Sequence, residues 1–167
     1  KVQFNDETAD MPFRMPVQYV IRPLSNELHD YRGYAGTIES GQVEVGQQIA
    51  VMPSGADTII TDIERPNGAV NSASESDAVT IRIAGDIDIS RGDMLSSLKE
   101  KPSIDNHFEA TVCWMTDKTS LKAGVMVRIK HTTHTVRALI LGVEFKVDVN
   151  NLSGQHVGDE LVMNEIG

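Results

Sequence analysis

Short alternations of apolar and polar residues, interrupted every few positions by glycine or proline, run through most of this chain. Val79, Ile81 and Ile83 fall on one side of an extended strand, while Thr80 and Arg82 fall on the other. Ile49 and Val51 alternate with Ala50 and Met52, and Ile59 and Ile63 alternate with polar neighbours. A period of two, with turn residues at short spacing, predicts an all-β chain. Residues 32 to 55 carry the pattern most densely. There Gly36, Gly41 and Gly46 recur every five residues between β-forming runs, as a small, sharply bent barrel requires where its strands coil or turn. Glu44-Val45-Gly46-Gln47 reads as a tight turn with Gly46 at the left-handed position, and Pro53-Ser54-Gly55 as a second turn.

The same reading divides the chain. Residues 1–12 are polar and acidic (Asp6, Glu7, Asp10) and stop at Pro12, which is linker chemistry. Residues 13–98 form a first β-barrel whose opening strand runs from Phe13 to Arg22 and stops at Pro23. Leu24 to Asp30 is a polar loop holding a solvated His29, and Asn67-Gly68 and residues 71–77 are turn and loop chemistry. Residues 99–106, beginning Lys99-Glu100-Lys101-Pro102-Ser103, combine charge and proline without periodicity and form a second linker. Residues 107–167 are β again. Phe108, Ala110, Val112 and Trp114 share one strand face, Thr116 to Ala123 is turn-like, and Val125, Val127 and Ile129 start a new alternation. A long β run follows from Val136 to Val149, with Val143, Phe145, Val147 and Val149 set against Glu144, Lys146 and Asp148. The fold class expected is all-β, two consecutive antiparallel barrels.

Composition narrows the setting. The chain has 167 residues, 40% of them hydrophobic, and its mean hydropathy is -0.20, enough for one domain or two small ones. No apolar run is long enough to span a membrane, and the N-terminus has neither the basic nor the apolar region of a signal peptide. With a single cysteine, Cys113, set in an apolar strand context, a reduced cytoplasmic protein is expected, with that thiol buried as a small hydrophobe. The net charge is -9, and residues 1–100 carry 16 acidic groups against 8 basic ones. That field disfavours nucleic acid as a partner, because phosphate binding rests on clustered Lys and Arg. Lys118, Lys122, Arg128, Lys130 and Arg137 form a local basic exception, read as a solvated strand face.

Several residue groups resemble chemistry without carrying it. Asp86, Asp88 and Asp93 are closely spaced carboxylates, but no glutamate follows at calcium-loop spacing. Arg91 and Asp93 are expected to hold a turn through side-chain bonds to backbone. His131 and His134 with Cys113 suggest zinc, yet residues three apart on a strand diverge unless a turn converges them. His107 and His156 read as loop or edge residues. No glycine-rich phosphate loop ending in Gly-Lys-Ser/Thr is present, and no Asn-Lys-x-Asp motif. No residue is therefore singled out as catalytic, cofactor-binding or metal-ligating.

Phe13-Arg14-Met15-Pro16-Val17-Gln18-Tyr19-Val20, Arg32-Gly33-Tyr34-Ala35-Gly36, Asp88-Ile89-Ser90-Arg91-Gly92-Asp93, Val112-Cys113-Trp114-Met115 and Val147-Asp148-Val149-Asn150, in that order and spacing, resemble the GTPase subunit of two-subunit bacterial ATP sulfurylases. Residues 32–55 alone resemble the second domain of elongation-factor-like GTPases. The resemblance implies two barrels that follow a GTP-binding domain absent from this chain. It implies no cofactor here, with GTP and Mg held by that absent domain. The implied partners are the GTP-binding domain and a catalytic small subunit that makes adenylyl sulfate and pyrophosphate from ATP and sulfate. Against the family pattern, the loop at Leu24–His29 is longer and Ser76 stands where a glycine is usual. The family's further strands after Gly167 imply a second barrel left open, or completed by a neighbouring copy through strand addition.

Overall fold

A computed structural model describes residues 11–23, 31–147, 155–156 and 158–167, and these contain strands and turns but no helix. They fall into two units, one running up to Ile104 together with Thr132–His134, the other Asp105–His131 together with Thr135–Gly167. The first linker, the loop Leu24–Asp30 with His29, and residues 148–150 lie largely or wholly outside the described residues.

The first unit contains β1 (Arg14–Pro16), β2 (Tyr19–Ile21), β3 (Gly33–Thr37), β4 (Gln42–Glu44), β5 (Gln48–Met52), β6 (Ala56–Arg65), β7 (Gly68–Val70), β8 (Ser72–Ser74), β9 (Ala78–Ile83) and β10 (Met94–Ser97). Its main sheet is antiparallel in the order β1-β10-β5-β6-β9-β3-β2, with β7 added to β6 and a separate β4-β8 ribbon. The path begins and ends on one stretch of chain, because β1 pairs with β10 while β2 pairs with β3. The sheet therefore closes on itself, which removes its free edges. The strand expected as one piece from Phe13 to Arg22 is thus two. It changes partner at Val17 and Gln18, whose amides donate to Asp93 O (2.8 Å) and Ala35 O (2.9 Å).

The barrel is filled by Phe13, Met15, Val17, Tyr34, Ile38, Val43, Ile49, Val51, Ile60, Ile63, Ala73, Val79, Ile81, Ile89 and Leu95. Gly46 adopts the left-handed backbone that its turn requires, with φ +87°, and Gln47 N donates to Glu44 O at 3.1 Å. Gly36 serves differently: a Cβ there would run into the Pro16 carbonyl, so only glycine lets β3 pass the β1 end this closely. Ser76 has φ +68°, so the position where a glycine is usual keeps the left-handed backbone with a side chain on it. Asp77 Oδ2 braces the turn by accepting from Ser74 N (2.8 Å) and from the Arg65 guanidinium.

One register differs from the alternation. Ile59 was expected to share a face with Ile63, yet Ile59 is 41% exposed while Ile60 and Ile63 are buried. The cause is a bulge in β6 between Ile60 and Asp62, opposite β9. An extra residue shifts the two-residue phase by one, so the strand before the bulge and the strand after it bury opposite parities.

The second unit contains β11 (Cys113–Trp114), β12 (Leu121–Lys122), β13 (Met126–His131), β14 (His134–Leu139), β15 (Lys146–Val147), β16 (Gln155–His156), β17 (Glu160–Leu161) and β18 (Glu165–Ile166). They pair as β11-β18-β15-β16, β12-β17 and β13-β14. Val125, Val127 and Ile129 are half-buried between exposed neighbours, as the alternation predicted. Three expectations change. Residues 108–112 are exposed and outside any strand; β11 is only Cys113–Trp114, extended by Val112, which exchanges backbone hydrogen bonds with Gly167 (2.7 and 3.1 Å), so Phe108 and Ala110 form no strand face with Trp114. The run from Val136 stops at Leu139 and resumes only at Lys146, while Val149 lies outside the described residues. The stretch expected as turn contains β12, which pairs with β17 and buries Leu121 against Leu161.

Candidate functional site

No described group of three or more His, Cys, Asp or Glu side chains is close enough together to hold a metal ion. Asp86 is instead an exposed partner of Arg32, at 2.5 Å, and Asp93 Oδ2 accepts from Ser90 N at 2.8 Å, the turn role expected of it. Arg91 makes no such side-chain bond. His131 and His134 do face each other across the turn at Thr132–Thr133, but no third ligand joins them among the described residues. Cys113 is exposed, contrary to the buried thiol expected. Its strand, β11, is only two residues long. His107 is an exposed loop residue whose amide donates to Asp105 Oδ1 at 3.0 Å.

What the barrel wall offers is polar surface. On the outside of β6 and β9, Asp62 lies opposite Arg82 in register, and their side chains pair at 3.1 Å. The Arg82 guanidinium also lies over the Tyr31 ring, 5.2 Å from its centre, where the ring's negative face attracts a cation. The Tyr31 hydroxyl donates to Glu64 Oε2 at 3.1 Å. Partial burial first, and the Glu64 bond second, raise the Tyr31 pKa and keep the phenol protonated. The group is a pinned, uncharged hydroxyl.

A second feature lies on the outer face of β1, β10, β5 and β6. Arg14, Ser96, Ala50 and Asp57 form one cross-strand row there. Ala50, expected on the face opposite Ile49 and Val51, and Ser96 are both 0% exposed. The chain after β10 returns over them: the Arg14 guanidinium donates to Phe13 O and Glu100 O, and Lys101 Nζ meets Asp57 Oδ1 at 2.9 Å. The predicted linker thus begins as a strap held on the barrel by two cations. Sequence reading missed it because the partners lie 86 and 44 residues apart, with no local signature.

The third feature is in the second unit. Lys118, Lys122, Arg128, Lys130 and Arg137 are all exposed. Lys146, by contrast, is tied to Glu165 Oε2 at 2.7 Å, and that carboxylate also accepts from Val162 N at 2.8 Å. The lysine bond first and the backbone bond second hold Glu165 below the usual carboxylate range.

Residues 34–96 match the family model of elongation factor Tu domain 2. Across 154 residues the chain is 48% identical to the bifunctional enzyme CysN/CysC of Mycobacterium tuberculosis, covering 92% of this chain and 25% of that protein. It is 39% identical over 158 residues to sulfate adenylyltransferase subunit 1 of Tolumonas auensis, covering 95% and 32%. The chain is a homologue of sulfate adenylyltransferase subunit 1. It spans about a quarter to a third of the length of the curated relatives it matches. In fold it is similar to the crystal structure of Sup35 complexed with GMPPNP (TM-score 0.72, 18% identity, 99% of this chain and 40% of that one). Apo elongation factor SelB of Methanococcus maripaludis is also similar (TM-score 0.69, 23% identity, 98% and 35%). At those identities the likeness establishes the fold alone, and a β-barrel is what the glycine spacing and strand alternation predicted. No described helix is long and apolar enough to cross a membrane.

Proposed function

We propose that this chain is the non-catalytic barrel portion of the GTPase subunit of a two-subunit ATP sulfurylase. In that enzyme, GTP hydrolysis drives formation of adenylyl sulfate and pyrophosphate from ATP and sulfate, the entry step of sulfate assimilation. The barrels act as scaffold and lever, passing a nucleotide-dependent change in the GTP-binding domain to the catalytic small subunit by rigid-body motion. The observation carrying the reading is the contrast in identity: 37–48% with the CysN/CysC enzyme and sulfate adenylyltransferase subunit 1 relatives over nearly the whole chain, against 18–24% with the structures of Sup35 and elongation factor SelB. A closed barrel with a pinned outgoing strap suits a rigid lever, since motion is transmitted only by parts that do not deform.

The test uses three preparations: the full-length subunit, its GTP-binding domain alone, and residues 1–167. Only the full-length subunit is expected to make adenylyl sulfate synthesis by the small subunit depend on GTP. Residues 1–167 are expected to give no heat with GTP or ATP in isothermal titration. Tight nucleotide binding by residues 1–167, or full GTP stimulation by the GTP-binding domain without barrels, overturns the reading. The rival, a tRNA-contacting barrel pair of a translational GTPase, predicts an electrophoretic shift with tRNA at physiological salt.

A further inference from the structure

The outward face of the β13–β14 hairpin gathers cations without anions. Its turn, Thr132–Thr133, is two residues long, Thr132 has φ +51°, and Ile140 N donates to Val125 O at 2.9 Å. That geometry sets Arg128 opposite Arg137, Lys130 opposite Thr135 and Met126 opposite Leu139. Residues directly opposite share a face. These point outward, because the intervening Val127, Ile129 and Ala138 are the half-buried ones. Met126 and Leu139 are 58% and 52% exposed.

Like charges set opposite one another on a sheet repel, and no described side chain forms a hydrogen bond or ion pair with Arg128, Lys130 or Arg137. In the barrel, by contrast, Arg14, Arg32, Arg65 and Arg82 all have partners. The face is therefore a concentrated positive site on a chain of net charge -9.

We propose that this face is part of a docking surface for an acidic protein surface, carboxylates meeting Arg128, Lys130 and Arg137 while apolar groups cover Met126 and Leu139. A protein can confine its carboxylates to the hairpin. A nucleic acid, with one charge about every 1.7 Å, extends its charge beyond the face and meets the field of a strongly acidic chain. Arginine and methionine side by side also suit protein contacts, where both are enriched. Two six-residue strands present only part of the roughly 800 Å² that each partner of a stable complex buries, so the hairpin is one patch of a larger interface. The occupant is taken to be the catalytic small subunit, which rests on the function proposed above.

The experiment measures binding of the purified small subunit to the full-length GTPase subunit by surface plasmon resonance at two salt concentrations. It compares the wild type, the triple variant Arg128→Glu/Lys130→Glu/Arg137→Glu, and Lys99→Glu as a charge control in the first unit. A milder pair, Arg128→Gln/Arg137→Gln, serves if the triple variant loses its native circular dichroism. The triple variant is expected to weaken Kd about tenfold or more, mainly at low salt, with the control unchanged. Equal binding by wild type and variants overturns the inference and leaves the proposed function standing. Failure of the wild type to bind the small subunit overturns both. A tRNA shift seen with wild type and abolished in the triple variant overturns it in favour of nucleic acid.

Discussion

Replacing Ile60 and Ile59 separately with alanine tests the bulge in β6, which decides what fills the barrel. Ile60 is 1% exposed, so truncation removes three buried carbons and leaves a cavity among the neighbouring core side chains. Fully buried Ile→Ala changes cost about 2–5 kcal/mol, and about 3 kcal/mol is expected here. Ile59 is 41% exposed and borders no closed cavity, so its loss gives about 1 kcal/mol from partial reburial of its carbons. For a unit of this size, 1 kcal/mol moves Tm by about 4–8 °C, so Ile60→Ala should lower it by roughly 12–24 °C and Ile59→Ala by only about 4–8 °C. Thermal and urea unfolding of residues 1–167, followed by far-ultraviolet circular dichroism, reads both. If Ile59→Ala proves as costly as Ile60→Ala, the strand runs without a bulge, and the simple alternation describes it correctly.

The strap gives a second prediction: Lys101→Ala combined with Arg14→Ala should speed amide hydrogen exchange over residues 98–101. The exposed Lys101–Asp57 pair contributes only about 0.2–1 kcal/mol by itself, so global Tm should change little. Unchanged exchange would mean that packing, not the two cations, holds the strap. Third, the depressed pKa of Glu165 makes its tie to Lys146 a source of stability that is complete above the ordinary glutamate pKa of about 4.3. That stability is lost as the pH falls through the lower folded value, so exchange at β15 and β18 should rise on acidification in wild type and stay flat in Glu165→Gln. Fourth, Cys113 should react stoichiometrically with a thiol reagent in the native state without denaturant. Labelling that appears only after unfolding would return Cys113 to a protein interior.

Much of the candidate surface chemistry was legible in outline. The cations Arg128, Lys130 and Arg137 stand out in the sequence because their half of the chain is nearly balanced while the other half is acidic. The alternation of Val125, Val127 and Ile129 already assigns their faces, since strand parity is a local property. Their concentration on one hairpin was not legible, because it depends on the Thr132–Thr133 turn that sets Arg137 against Arg128. The polar group of Tyr31, Glu64 and Arg82 joins three strands or strand ends distant in sequence, and no spacing rule announces it.

By itself the sequence determined the strand-forming character of the chain, the left-handed turn at Gly46, and the turn role of Asp93. Each depends on a few consecutive residues and the φ they tolerate. Tertiary structure decided the rest. Closure required the chain near Val17 to serve two neighbours, β10 and β3, and only the paired partners fix that. The exposure of Ile59 follows from one unpaired residue in a ladder, and the burial of Ala50 and Ser96 from a strap anchored far along the chain. Parity is local, but which side of a strand is inside depends on what the folded chain lays against it.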